Sequence, residues 1–221
     1  MPAIAVIGGT GVNIRLSTAA DAHRATRDID LVANAADPTA VQVLAERHTL
    51  AHENTVVVNG IEVDIIDTAA VTEAELEGLD NGSRLFVAGH RWALEAAEAV
   101  LVTTAQTGAP TIEIPVASAA GLVAAKSHAA GYPRSARRAT KHGADLFDIY
   151  RLIEVFDTRG ELRIDFAAAP GHLGQLVASV VQAEILARPA HAMREMQSAA
   201  PARLDVDRII DVIEPFVTTI T

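Results

Sequence analysis

Cysteine is absent from the 221 residues, which excludes disulfides and Cys-ligated zinc. Aromatic residues make up only 4 % against 50 % hydrophobic residues overall, so Ala, Val, Leu and Ile must build the core. No apolar run reaches 18 residues, so no segment is expected to span a membrane. A charged, then apolar opening of the signal-peptide type is also missing, and a soluble cytoplasmic protein is the expectation. Basic charge is scarce: the formal net charge is −10, which argues against a general nucleic-acid coat. Lysine is scarcer still. Only Lys126 and Lys141 occur, beside sixteen arginines, as expected where Arg codons displace Lys codons in a GC-rich genome. Finally, acid is absent from one window. Between Ile114 and Ala144 there is no Asp or Glu, while Lys126, His128, Arg134, Arg137, Arg138, Lys141 and His142 all fall inside it. A local basic segment on an acidic chain can guide a phosphate chain; an exposed Arg face on a helix has the same appearance.

What is present begins with Ala3-Ile4-Ala5-Val6-Ile7, a β-type run that leads into Gly8-Gly9-Thr10. A helix over about 10–22 follows, then a second strand over 28–33 that carries Asp28 and Asp30. Side chains at i and i+2 on a strand share a face, so these two carboxylates are neighbours and repel unless a cation lies between them. Mg²⁺ is a hard cation held by one or two carboxylates plus substrate phosphates, and a glycine turn at a helix N-terminus offers free N–H groups to an anion. Each part alone has a plainer reading: Gly-Gly as a tight turn, Asp-x-Asp as a solvated strand face. Together, in this order, they suggest a site for a metal–nucleoside triphosphate.

Further on, Asn59-Gly60 between Thr55–Val58 and Ile61–Ile66 reads as a β-hairpin. Its second strand places Glu62 and Asp64 on one face; Asp64 is the choice for a third carboxylate and Glu62 the alternative. Asp37-Pro38 opens a helix to about Arg47, and 72–79 reads as a short acidic helix. Asp80-Asn81-Gly82-Ser83 reads as a turn, Leu85–Ala88 as a strand and His90–Glu98 as a helix. Val100–Thr104 and Thr111–Pro115 read as strands. His90, Arg91 and Trp92 either contact a base or phosphate or simply start a helix. After about residue 115 alanine marks a shift to helices: 119–129 capped by Ser118, then 135–151, 171–186, 189–198 and 205–217, with an extended stretch at 160–167. On the first of these Leu122, Val123 and Ala125 bury one face and Lys126 projects from another. On the second, Asp145 and Asp148 lie at i and i+3 on one face, where they can also pair locally with Lys141 and Arg151.

The Gly-Gly-Thr turn followed by Thr26-Arg27-Asp28-Ile29-Asp30, and the lysine helix followed by Asp145-Leu146-Phe147-Asp148-Ile149-Tyr150, resemble AbiEii-type toxins, which include the MenT group of mycobacteria. These are nucleotidyltransferases of the DNA polymerase β-like superfamily. The resemblance covers roughly 6–32 and 115–155. It implies an α/β (α+β) polymerase β-like palm over 1–115 followed by a mostly helical domain over 116–221. It implies Mg²⁺ held by Asp28, Asp30 and Asp64. The nucleotide would be bound by Gly8, Gly9, Thr10, Arg27, Lys126 and Asp145, with Lys126 gripping the triphosphate and Asp148 supporting it. The implied reaction moves a nucleoside monophosphate from NTP to RNA, above all the 3′ end of tRNA, and the implied partner is a cognate antitoxin. Thr26 is a position where modification would inhibit the protein. Three other readings remain: a small-molecule (antibiotic) nucleotidyltransferase, a non-catalytic nucleotide-binding protein, and a dinucleotide-binding Rossmann domain. The last lacks the Gly-x-Gly-x-x-Gly spacing.

Overall fold

Alternation along three strands sets the architecture. The computed structural model describes residues 2–17, 26, 28–37, 39–52, 54–68, 71–103, 108, 110–131 and 139–220. In it β1 (Ile4–Ile7), β2 (Asp28–Asn34), β3 (Thr49–His52), β4 (Thr55–Val58), β5 (Ile61–Thr68), β6 (Glu98–Val102) and β7 (Ile112–Val116) form one mixed sheet in the order β3-β4-β5-β2-β1-β7-β6. The β5–β2 and β1–β7 pairs are parallel and the others antiparallel. Odd positions of β2 and β5 and even positions of β1 point to one face. There Leu31, Ala33, Val63 and Ile65 are buried with Val56, and Val41 and Leu44 of α2 (Thr39–Arg47) pack on them. The opposite face carries Ala5, Ile7 and Val32 into a larger core made with the helices. Asp28, Asp30 and Asp64 belong by parity to this second, helix-covered face.

The helices on that face are α1 (Gly8–Arg15), α4 (Asn81–Glu95), α5 (Ala119–Gly131) and α6 (Ala139–Phe156), with the short α3 (Glu73–Glu77) before α4. Behind them stand α7 (Glu161–Ala167), α8 (Leu173–Val181, continued by a π-helical turn Gln182–Leu186), α9 (Pro189–Gln197) and α10 (Val206–Ile220). One buried cluster runs from Ala5 and Ile7 through Leu122, Leu146 and Ile149 to Phe216, so the core is continuous across residue 115, the end of the expected palm. No helix among the described residues is long and apolar enough to cross a membrane.

The β-hairpin forms as its turn residues dictate: Asn59 and Gly60 both take positive φ, 52° and 81°, the requirement of a type I′ turn. Ser118 caps α5 by accepting from the Gly121 amide at 3.1 Å, and Thr72 and Glu75 form a reciprocal capping box on α3.

Two expectations are corrected. The span expected as turn, strand and second helix is a single helix, α4. Asp80 is its N-cap, accepting from the Gly82 and Ser83 amides at 2.9 and 3.0 Å, and the run Leu85-Phe86-Val87 reads as a strand only if that cap is overlooked. Burial of Leu85, Ala88, Gly89 and Ala93 follows the helical period. The stretch 160–167, expected to be extended, is helix α7, whose Leu162 and Phe166 are buried at i and i+4. In addition β3 had no counterpart in the sequence reading. The expected helix over 10–22 is observed from Gly8 to Arg15, and 18–25 lie outside the described residues.

Candidate active site

Gly8 is the first residue of α1 and sits at φ +63°. A Cβ there would collide with the Asp30 carboxylate, so glycine is required twice, by the backbone and by the space. Gly9 follows, buried. The Ile7 N-cap offers no side-chain acceptor to the helix amides. The Thr10 hydroxyl donates to the Asp28 carbonyl at 3.1 Å, tying the helix start to β2. At the other end of α1, Arg15 donates to the Ala117 and Val116 carbonyls at 2.8 and 2.7 Å and pairs with Glu98 at 2.7 Å. This brace was not foreseen in the sequence.

Register then assembles the acids. Ile7 pairs with Asp30 across β1 and β2, and Asp30 pairs with Asp64 across β2 and β5. One carboxylate oxygen from each of Asp28, Asp30 and Asp64 lies within 4.8 Å of the others. Glu62, the alternative, pairs with Asp28 in the same register but is exposed and outside this group. Two hydroxyls hold two of these carboxylates: Thr26 donates to Asp28 Oδ1 at 2.9 Å and Thr55 to Asp64 Oδ1 at 2.6 Å. Thr55 was missed, although its place was readable. Pairing outward from the two-residue Asn59-Gly60 loop puts Thr55 opposite Asp64. Burial pushes the Asp30 carboxyl above the ordinary aspartate range. Lys141 and then Lys126 oppose this, and Asp28 and Asp64 add to it.

The lysine helix, α5, packs against α1, α4 and α6. α5 is buried from Ala120 to Ser127, so the face from which Lys126 projects is buried as well as the face of Leu122, Val123 and Ala125. Small residues let neighbouring helices close around it: a Cβ on Gly121 would come within 2.8 Å of the Ala93 Cα, and one on Gly89 would touch Ala124. Lys126 Nζ donates to Asp145 Oδ1 at 2.6 Å and pairs with Asp148 Oδ2 at 2.9 Å. All three side chains are under 8 % exposed. Burial alone would lower the Lys126 ammonium, but Asp148 and Asp145 outweigh it and hold the group above its usual range. The structure therefore joins Lys126, Asp145 and Asp148 across two helices.

Other candidates fall elsewhere. Arg27 lies outside the described residues, as do Arg134, Arg137 and Arg138. His90 is buried and bonded through Nδ1 to the Phe86 carbonyl at 2.7 Å. Arg91 donates to the Val71 carbonyl at 2.6 Å, and the Trp92 ring packs 5.2 Å from that of Phe166. These three build the helical layer.

The donor set suits a hard divalent cation: three carboxylates, with oxygen ligands only, converge beside a turn of helix amides. Thr26 and Thr55 each donate a hydroxyl to one of these carboxylates. Asp28, Asp30 and Asp64 are the residues that would hold such a cation.

No curated protein matches the chain. Among solved structures, an antigenic nucleotidyltransferase-like protein from Paracoccidioides brasiliensis aligns with 96 % of this chain and 88 % of its own, at 15 % identity and a TM-score of 0.40. The family described as nucleotidyl transferase AbiEii toxin, type IV toxin–antitoxin system, matches residues 1–217. With that match spanning nearly its whole length, the chain belongs to the AbiEii nucleotidyltransferase toxin family.

Proposed function

We propose that this protein is a Mg²⁺-dependent toxin that transfers a nucleoside monophosphate from NTP to RNA, at the 3′ end of tRNA, and so blocks translation. The observation that carries the reading is the convergence of Asp28, Asp30 and Asp64, with Asp30 paired to Asp64, on the sheet face that the helices cover. When bound, Mg²⁺ would supply charge neutralisation on the phosphates. The chain's own groups do the rest, and in phosphoryl-type transfer that work is positioning and electrostatics. The amides of Gly8, Gly9 and Thr10 orient the phosphates at the α1 N-terminus. Lys126 has three N–H donors, and Asp145 and Asp148 engage two, leaving one for a phosphate oxygen; Arg27 adds a second cation. Asp64 accepts the proton from the attacking hydroxyl at a carboxylate oxygen. A bond forms between the acceptor 3′ oxygen and the α-phosphorus, the α–β bridging bond breaks, and pyrophosphate leaves.

The acid-free segment from Ile114 to Ala144 favours a polyanionic acceptor over a small molecule. Family membership supports an antitoxin as partner, and the cytoplasm, where tRNA and NTP reside, is the compartment this reaction requires. The test is transfer of label from each α-³²P NTP to total tRNA with Mg²⁺. Labelled tRNA that disappears with Asp28→Ala supports the proposal. Retained transfer or retained toxicity in that variant overturns the metal assignment, and label on an aminoglycoside alone would replace the acceptor.

A further inference from the structure

α1 has to aim its first amides, yet its composition is poor for a helix. Gly8, Gly9 and Gly11 are among its eight residues, and glycine weakens a helix interior. Its N-cap supplies no side-chain bond, and so short a helix is not stable by itself in water. Tertiary contacts therefore have to hold it. In the first turn the Thr10 hydroxyl bonds to the Asp28 carbonyl. In the last turn Arg15 engages all three guanidinium nitrogens. Nε donates to the Ala117 carbonyl at 2.8 Å, Nη2 to the Val116 carbonyl at 2.7 Å and Nη1 to Glu98 at 2.7 Å. The side chain is only 14 % exposed, so water competes little for these bonds. The place it grips matters. Val116 ends β7 and pairs with Val6, and the Ala117 amide donates to the Val6 carbonyl at 3.0 Å, two residues before the glycine turn. On the other side, α5 begins at Ala119 and carries Lys126. α1 and α5 also touch directly: a Cβ on Gly11 would lie 3.0 Å from Leu122 Cδ2. One guanidinium thus ties the far end of α1 to the junction from which the lysine helix leaves.

We propose that Arg15 is a positioning residue for triphosphate binding: its fork fixes α1 against the start of α5, so that the amides of the glycine turn and the Lys126 ammonium meet the same phosphate chain. This rests on the nucleotidyl-transfer reading above and adds a residue that reading does not use. The planar guanidinium can hold two consecutive carbonyls and a carboxylate at once, whereas an ammonium is a point charge on a flexible stem. The three carboxylates depend on something else, the register of β2 with β5. Metal binding and triphosphate binding therefore respond differently to loss of the fork.

Mn²⁺ binding to nucleotide-free protein is measured by electron paramagnetic resonance, and inorganic triphosphate binding to the Mn²⁺-loaded protein by calorimetry. Arg15→Gln should leave Mn²⁺ affinity unchanged and weaken triphosphate binding about ten- to hundredfold, the scale of a binding group held out of place. Arg15→Lys keeps the charge without the fork and should show the same pattern; it carries the test if Arg15→Gln does not fold. Glu98→Gln leaves both carbonyl bonds in place and should bind triphosphate as the wild type does. Triphosphate affinity unchanged in Arg15→Gln, or Mn²⁺ and triphosphate affinities falling together, overturns the positioning role. So does full triphosphate binding in Arg15→Lys, because charge alone would then suffice. The underlying reading fails differently: wild-type protein that binds neither Mn²⁺ nor triphosphate refutes nucleotidyl transfer and this role with it, whereas wild-type protein that binds both, beside an unaltered Arg15→Gln, refutes this role alone.

Discussion

Lys126→Met is the substitution whose outcome the structure constrains most. The ammonium is buried between two carboxylates that are themselves buried, so removing it leaves two like charges facing each other out of water. Breaking a buried ion pair by deleting one partner typically costs about 3–5 kcal/mol, because the survivor is left uncompensated. Here two survivors remain. We therefore expect a loss of about 3–5 kcal/mol at neutral pH. For a chain of this size each kcal/mol moves the midpoint by about 2–4 °C, so Tm should fall by roughly 6–20 °C. Urea titration and calorimetry read this directly. The companion variant Lys126→Met, Asp145→Asn, Asp148→Asn removes the whole charge set and should recover to within about 1.5 kcal/mol of wild type, since neutral replacements of buried ion triads are often tolerated. It should still transfer no nucleotide. Toxicity lost in Lys126→Ala alone would thus mix folding with chemistry, while the triple variant separates them. An unchanged urea midpoint and slope in Lys126→Met would refute the buried-triad argument.

Three further outcomes follow from the geometry. Thr55→Val removes the hydroxyl that holds Asp64 and should lower Mn²⁺ affinity and transfer rate about 10–100-fold, the usual scale for outer partners of metal ligands; wild-type values would mean that Asp64 is oriented by something else. Gly8→Ala places a side chain at φ +63° against Asp30. It should cost about 1–2 kcal/mol in backbone strain and about a hundredfold or more in transfer, because the carboxylate must move. Full activity would show that the turn tolerates a Cβ. His128 titrates near 4, below its ordinary value, first through burial and then through His90. A depressed folded-state value means that its contribution is complete above the unfolded value of about 6.5 and is lost as pH falls toward 4. The pH-dependent fall in Tm across that window should flatten in His128→Gln, and an unaltered slope would assign it to other groups.

Legibility varied with the distance over which each feature is specified. Asp28 and Asp30 share a face by the period of a strand, and Asn59-Gly60 fixes its hairpin by local chemistry, so both were readable and both are observed. The error at α4 came from weighing Leu85-Phe86-Val87 as β-formers while reading Asp80 as a turn residue; the cap and the helical spacing of burial decide against that. α7 has the same cause, a short segment whose two buried residues are set by packing on α10 and α5. The burial of Lys126 had no local signal. Its neighbours Ala124 and Ala125 read as helix formers, and only the approach of α4 and α6 across small residues turns that helix into a central one.

The site itself depends on pairing more than on motif. β5 lies parallel to β2 with Asp30 opposite Asp64, and β1 runs antiparallel on the other side with Ile7, the residue before the glycine turn, opposite the same Asp30. That register brings the start of α1 onto the acids. A slip of one residue in β2 would send Asp28 and Asp30 to the α2 face and bring Ile29 and Leu31 under Gly8. The slip is opposed by the same residues that the site does not use: Leu31, Ala33, Val63 and Ile65 are buried together beneath α2. The hydrophobic alternation that anchors the sheet therefore also aims its carboxylates. Substitutions in that second core, such as Ile65→Asp, should scatter the acid group even though their side chains lie on the opposite face of the sheet.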